Sequence, residues 1–288
     1  MVALVTLFAP TAAKALWSLP RFPGRWRVQR WAEGQGKAYA RSPARRVTMN
    51  GFSFLVTPSA SLDVYLNGIT HNSSIERIIR AQVKPGGTVL DVGANIGWTA
   101  RLMSNLVGPQ GRVHAFEPLP TAYANLLLNV GDAPVSNIVP HKVAASDVAG
   151  QIELYVPADD TAALGTMRRP QGSESALKHV VPTLQLDSRL DEFGPVSFVK
   201  IDVEGAEHKV LLGMQALMRR DHPALAIELT DAWLRQLGSS AQALLDLLFA
   251  HGYTAFDAST SPPVPVTVAP GGQVDLVCLH SCKYVPMA

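Results

Sequence analysis

The stretch that decides the fold is Val89–Ala100, VLDVGANIGWTA. Val89 and Leu90 are apolar and strand-forming, Asp91 follows, Gly93 and Gly97 bracket a tight turn, and Thr99 to Met103 open a helix. Strand, glycine turn and helix in that order make a nucleotide-type cradle. Glycine lets the backbone pass close to a ligand that a Cβ would meet. The helix N-terminus offers unpaired N–H groups and a partial positive charge to an anion. The dinucleotide fingerprint G-x-G-x-x-G is incomplete, because its second and third glycines, counted from Gly93, fall on Asn95 and Trp98. That argues against a nicotinamide oxidoreductase. The spacing present, D-x-G-x-x-x-G, suits a smaller ligand with an amino-acid end, S-adenosylmethionine. Its carboxylate would meet the helix N-terminus, flanked by Ala94, and its ammonium would meet Asp91 directly or through water.

Working outward, Arg112–Phe116 (RVHAF) is a second strand with Glu117 at its carboxyl end and Pro118 behind it. An acid at that point of a doubly wound fold accepts from ribose hydroxyls, and its two oxygens suffice for both. Residues 137–145 read as a third strand ending in Ser146-Asp147, where an adenine ring would lie; Asp147 either accepts from the exocyclic amine, helped by Ser146, or closes an Asx turn before Gly150. Upstream, residues 46–57 pattern as a hairpin about Asn50-Gly51. A helix over 73–82 follows, capped by Ser73 or Ser74. Its Glu76 either points across the cofactor mouth or completes a capping box.

The second chemical stretch is Phe198–His208, FVKIDVEGAEH. Residues 196–202 are expected to form a fourth strand with Phe198, Lys200 and Asp202 on one side. A helix from Gly205 would place Glu204, Glu207 and His208 on a shared face. A fifth strand (224–229, with Glu228 near its end), a helix over 240–251 and closing strands at 253–257 and 273–279 complete the pattern, with an exposed Pro/Ser/Gly-rich loop over 259–272. Residues 150–186 interrupt the alternation with two short strands around a polar loop, an insertion suited to shaping an acceptor pocket. Its Arg168, Arg169 and Lys178 either face a substrate or are solvated.

Composition bounds the rest. The 288 residues carry a net charge of +2, yet residues 21–46 hold eight basic residues against Glu33 alone. Three of the five tryptophans, Trp17, Trp26 and Trp31, lie in the same N-terminal region. Residues 1–46 therefore read as a basic arm ahead of a domain at 47–288, with 46–83 as its cap. Such an arm suits peripheral contact with an anionic membrane face, or packs on the domain. It lacks a stacking platform, so no nucleic-acid partner is expected. Only two cysteines, Cys278 and Cys282, are present. No disulfide framework follows, a reducing, cytoplasmic setting is expected, and no zinc site is expected for want of a matching Cys or His pair.

Taken together, VLDVGANIGWTA, HAFEP and VKIDVEGAEH resemble the FkbM-type family of S-adenosylmethionine-dependent methyltransferases, from about Asp63 to Leu229. The resemblance implies an α/β, Rossmann-like class I methyltransferase fold: a seven-stranded, mostly parallel sheet with an antiparallel last strand and helices on both faces. It implies O-methylation of a hydroxyl on a sugar, glycolipid, polysaccharide or natural product. By motif position it carries Asp91, Gly93, Asn95, Gly97 and Glu117 over as cofactor contacts, and Asp202 and Glu204 as active-site residues. Asp202 is the first choice for base or acceptor-orienting group, and also lies beside the cofactor; His208 paired with Glu204 is the second. A metal on Asp202, Glu204 and His208 is not expected. A non-catalytic S-adenosylmethionine-binding module is the remaining rival.

Overall fold

The computed structural model describes residues 43–49, 52–57, 74–133, 135–156, 167 and 177–283. The expectations for the arm before residue 43, for Ser73 and for Arg168 and Arg169 lie outside these residues. In chain order the elements are β1 (Arg45–Met49), β2 (Phe52–Val56), α1 (Ser74–Gln82), β3 (Thr88–Val92), α2 (Trp98–Val107), β4 (Arg112–Phe116), α3 (Pro120–Gly131), β5 (Ile138–His141), β6 (Ala144–Ala145), β7 (Gly150–Val156), β8 (Leu177–Leu184), α4 (Leu190–Phe193), β9 (Val196–Ile201), α5 (Glu207–Leu212), α6 (Gln215–Asp221), β10 (Ala224–Thr230), α7 (Asp231–Gln236), α8 (Ala241–Ala250), β11 (Tyr253–Asp257), β12 (Val264–Val266) and β13 (Gln273–His280).

Among the described residues the main sheet runs β12-β11-β13-β10-β9-β3-β4-β5. Its five strands β5, β4, β3, β9 and β10 are parallel, and the last strand, β13, enters antiparallel between β10 and β11. The sheet has eight strands rather than the expected seven. The extra one, β12, comes from the segment expected to be loop throughout, and pairs only with β11. Its Val-Pro-Val sequence suits a sheet edge, where a missing N–H breaks no ladder on the open side. The expected third strand also divides. β5 is the far edge of the main sheet, and β6 leaves it to pair with β8, which is antiparallel to β7 in a separate three-stranded sheet.

Period-2 alternation sends side chains to two covered faces, as a parallel sheet requires. Leu90, Val92, Val199, Ile201, Leu225 and Ile227 pack against α5, α6 and α8 through Val210, Leu217, Leu244 and Leu248. Val89, Val113, Ala115, Phe198 and Ala226 pack on the other side against Ile78 and Ile79 of α1, Leu102 and Met103 of α2 and Leu126 of α3. The β1–β2 hairpin has the register of a two-residue connection, Met49 opposite Phe52. It docks on α3. Asn129 accepts from the Leu55 N–H at 2.8 Å and donates to the Leu55 carbonyl at 3.0 Å, while Asn125 accepts from Thr57 N–H at 3.0 Å and donates to the Leu55 carbonyl at 2.8 Å. No helix among the described residues is long and apolar enough to cross a membrane.

Candidate active site

The strand order reverses direction between β3 and β9, and in open α/β sheets ligands bind outside the carboxyl ends at such a point. There Asp91 of β3 stands opposite Lys200 of β9. Lys200 is buried; its Nζ donates to the Gly93 carbonyl at 2.7 Å and lies 3.2 Å from Asp202 Oδ2 and 3.5 Å from Asp91 Oδ1. Thr99 Oγ1 at the start of α2 donates to Asp91 Oδ2 at 2.7 Å, so strand end, turn and helix start are tied through one carboxylate. Burial pushes the Asp91 carboxyl up, and Lys200 and Thr99 oppose that shift. Burial would lower the Lys200 ammonium, but the Asp202 and Asp91 carboxylates outweigh it and hold it above its ordinary value. Asp91 is fully buried and forms no part of the cleft wall. Its neighbours are Thr99 and Lys200, and its buried Oδ1 has no hydrogen-bond partner.

The glycines of the turn are held by packing. Gly93 has φ +80°, and a Cβ there would stand 1.8 Å from the Asp202 carbonyl oxygen. Gly97 has φ +90°, and its Cβ would stand 2.7 Å from Leu126 Cδ1. Each is required by the protein's own packing, and Gly93 also lines the cleft described below. Gly97 is absent from the cleft wall, and Ala94 is buried in the core behind it.

The cleft itself, about 830 Å³ with its open mouth included, lies over the ends of β3, β4 and β9. Gly93, Asn95, Glu117, Pro118, Ser146, Asp202 and Glu204 line it. Glu117 Oε2 accepts from the Asn95 N–H at 2.9 Å and its Oε1 from the Leu119 N–H at 2.8 Å. Burial raises the Glu117 carboxyl to about 7, against the pull of those two N–H donors. Asn95 sits at φ +49°, and its buried Oδ1 has no hydrogen-bond partner. Ile152 and Leu154 of β7 with Phe116, Val143 and Ala145 make an apolar wall in this same cleft. The 150–186 insertion thus contributes to the wall beside Glu117. Ser146 is on the wall, but Asp147 is not: it accepts from Ser146 Oγ at 2.9 Å and pairs with Lys209 Nζ at 3.3 Å. Glu76 is buried beside Arg80, to which it pairs at 2.7 Å, away from the wall. Lys178 pairs with Glu153 at 2.8 Å on the surface.

Acids gather at the Asp202 end. The shared helical face expected for Glu204, Glu207 and His208 does not form, because α5 begins at Glu207 and Glu204 lies before it at φ +54°. Gly205, at φ +102°, packs on the Trp233 backbone, where a Cβ would come within 2.9 Å. Glu207 closes this turn, its Oε1 accepting from Val203 N–H at 3.2 Å and Gly205 N–H at 3.0 Å. His208 is hydrogen-bonded to Ser239, Nδ1 to Oγ 2.6 Å, and is off the cleft wall, so the Glu204–His208 pairing is corrected. Glu204 is pushed to about 8 by burial and by the Asp202 and Glu207 charges. Glu228, at the end of β10, is pushed to about 8 by burial and by its charge repulsion and hydrogen bond with Asp202. Lys200 as the central cation and Glu228 as the partner of Asp202 are the residues that sequence reading underweighted. A signal existed: central parallel strands are near-continuously apolar, so one charge inside each of two such strands marks a buried pair.

The sheet order, the antiparallel last strand and the glycine turn beside a strand-end acid define a class I, Rossmann-like S-adenosylmethionine-dependent methyltransferase. Residues 91–255 match the model of the methyltransferase FkbM domain. The chain is 28% identical over 205 residues, 60% of its length and 75% of the relative's, to the 31-O-demethyl-FK506 methyltransferase FkbM of Streptomyces tacrolimicus. It is 28% identical over 203 residues, 59% of its length, to the AMB antimetabolite synthetase AmbE of Pseudomonas aeruginosa, of which it spans a tenth. Among solved structures, the methyltransferase FkbM of Methylobacillus flagellatus KT is similar, with 18% identity and TM-score 0.43 over 76% of this chain and 52% of that one. The chain belongs to the FkbM methyltransferase family.

Proposed function

We propose that this methyltransferase acts on a hydroxyl of a sugar, glycolipid, polysaccharide or natural product, with the nucleoside cofactor in the cleft between β3, β4 and β9. The same proposal takes the chain from β1 onward as one catalytic domain, capped by the hairpin and α1, and the residues ahead of β1 as a basic arm; the boundary expected after residue 46 falls inside β1, where Arg46 pairs with Asp132 at 2.7 Å. The residues present fit the cofactor. The orphaned Asn95 Oδ1 is an acceptor suited to an ammonium. Glu117 has lone pairs left for ribose hydroxyls after its two backbone bonds. Phe116, Val143, Ala145, Ile152 and Leu154 offer an apolar slot for a purine ring beside Ser146.

When bound, S-adenosylmethionine supplies an electrophilic methyl on a sulfonium sulfur. A hydroxyl acceptor must also lose a proton, and a positioned base contributes about 10²–10⁴ in rate. The observation that carries the proposal is Glu204: a carboxyl on the cleft wall held near 8, where a base works close to neutral pH. Asp202, 3.2 Å from Lys200 and hydrogen-bonded to Glu228, is positioned to orient the acceptor hydroxyl toward Glu204. The relative named for methylating 31-O-demethyl-FK506 supports an oxygen acceptor. The test is transfer of labelled methyl to hydroxylated small molecules and glycan extracts, beside amine-only analogues. Transfer confined to hydroxyl acceptors and lost in Glu204→Gln, with cofactor binding kept, is expected. Transfer to amines, or a fully active Glu204→Gln, would overturn it.

A further inference from the structure

We propose that His222, His280 and Cys282 form a binding site for a borderline or soft divalent metal ion such as zinc, at the end of the sheet remote from the cofactor cleft. His222 follows α6, two residues before β10 begins, and His280 ends β13, which runs antiparallel to β10. The three side chains therefore meet at the amino ends of the parallel strands, whereas the cleft lies at their carboxyl ends.

One sulfur faces two imidazole nitrogens. Cys282 Sγ lies 2.8 Å from His280 Nδ1 and 3.4 Å from His222 Nδ1, and the three candidate ligand atoms fall within 4.8 Å of one another. A tetrahedral zinc with Zn–N of about 2.0–2.1 Å and Zn–S of about 2.3 Å holds nitrogen and sulfur about 3.5 Å apart. His222 Nδ1 already stands at nearly that spacing from the sulfur, and His280 Nδ1 must move out by about 0.7 Å. The two rings stack at 3.8 Å between centroids and 18° between planes, so one ring must rotate for both Nδ1 lone pairs to point at a single ion.

The tautomer is set for ligation. The Cys282 N–H donates to His280 Nδ1 at 3.3 Å, so this nitrogen carries the lone pair, which an ion would take over from that N–H. His222 itself adopts φ +47° at the helix end, where glycine would fit without strain. Cys282 is exposed, leaving the fourth position to water, and none of the three residues lines the cleft.

The site would clamp the end of β13 to the turn before β10. The test uses the full chain, stripped of metal by a chelator and titrated with cobalt and then zinc. Expected are saturation at one equivalent of cobalt, a near-ultraviolet thiolate-to-cobalt band, and its loss on adding zinc. Cys282→Ser should abolish the band, and His222→Asn, which tolerates the left-handed backbone, should weaken binding at least about tenfold. Zinc should raise the melting temperature of the wild type and of neither variant. Absence of stoichiometric binding, or equal binding in wild type and both variants, would overturn the proposal.

Discussion

Lys200 is the cation on which the floor of the site rests, and replacing it by methionine isolates its role. Methionine keeps the length and most of the volume but removes the charge. Asp91, fully buried, then keeps only the Thr99 hydroxyl, and the Gly93 carbonyl loses its donor. Breaking a buried pair by removing one partner costs about 3–5 kcal/mol. With a urea m-value of about 3 kcal/mol per molar, the unfolding midpoint should fall by roughly 1–1.7 M. The deficit should depend on pH in one direction. Without Lys200, the neighbour that opposes the upward push of burial on Asp91 is gone. A folded-state carboxyl raised above its unfolded value of about 3.9 loses stability as pH rises above that value. The gap between variant and wild type should therefore widen from about pH 4 toward neutrality. Asp91→Asn in the Lys200→Met background should recover part of the loss, giving a favourable coupling in the double-mutant cycle. A midpoint within about 0.3 M of wild type at pH 7, or a deficit independent of pH, would refute the compensation of Asp91 by Lys200.

Gly93→Ala should cost more than about 3 kcal/mol, since left-handed strain alone is worth about 1–3 kcal/mol and the new Cβ meets a strand carbonyl at 1.8 Å; equilibrium denaturation measures it. Glu204→Gln should be more stable than wild type at pH 8 and equal to it near pH 4, because a carboxyl raised to about 8 destabilises the fold progressively as pH climbs from its unfolded value toward 8; parallel melting curves at the two values check this. Turnover on a hydroxyl acceptor should rise with pH toward about 8 in wild type and lose that limb in Glu204→Gln, read from kcat–pH profiles. Replacing both Asn125 and Asn129 by leucine should release the hairpin from α3, measured as faster amide exchange at Leu55 and Thr57 with little change in the sheet.

Much of the frame was legible because its signals are local. The apolar run before Asp91, the paired glycines and the alternating stretch around Asn50-Gly51 each declare an element within a few residues. The antiparallel last strand came from the family resemblance rather than from any local pattern. What stayed hidden depends on partners far along the chain. Asp91 and Lys200 are opposed only because β3 and β9 are neighbours, a fact of register across more than a hundred residues. Glu204, Glu207 and His208 have helical spacing, yet Gly205 must turn against the Trp233 backbone, which no nearby residue announces. The same holds for Gly93, whose need for a bare Cα comes from the Asp202 carbonyl across the sheet. Residues 137–145 look like one strand and become two, because β8 offers Ala144-Ala145 a partner that the edge of the main sheet does not.

The most direct measurement is the calorimetric affinity of S-adenosylhomocysteine for the wild type and for Glu117→Gln. A single site in the wild type, weakened at least about tenfold in the variant as an acceptor for ribose hydroxyls is lost, is the predicted result. Equal binding to both proteins, or none to either, would contradict the placement of the nucleoside between β3 and β4.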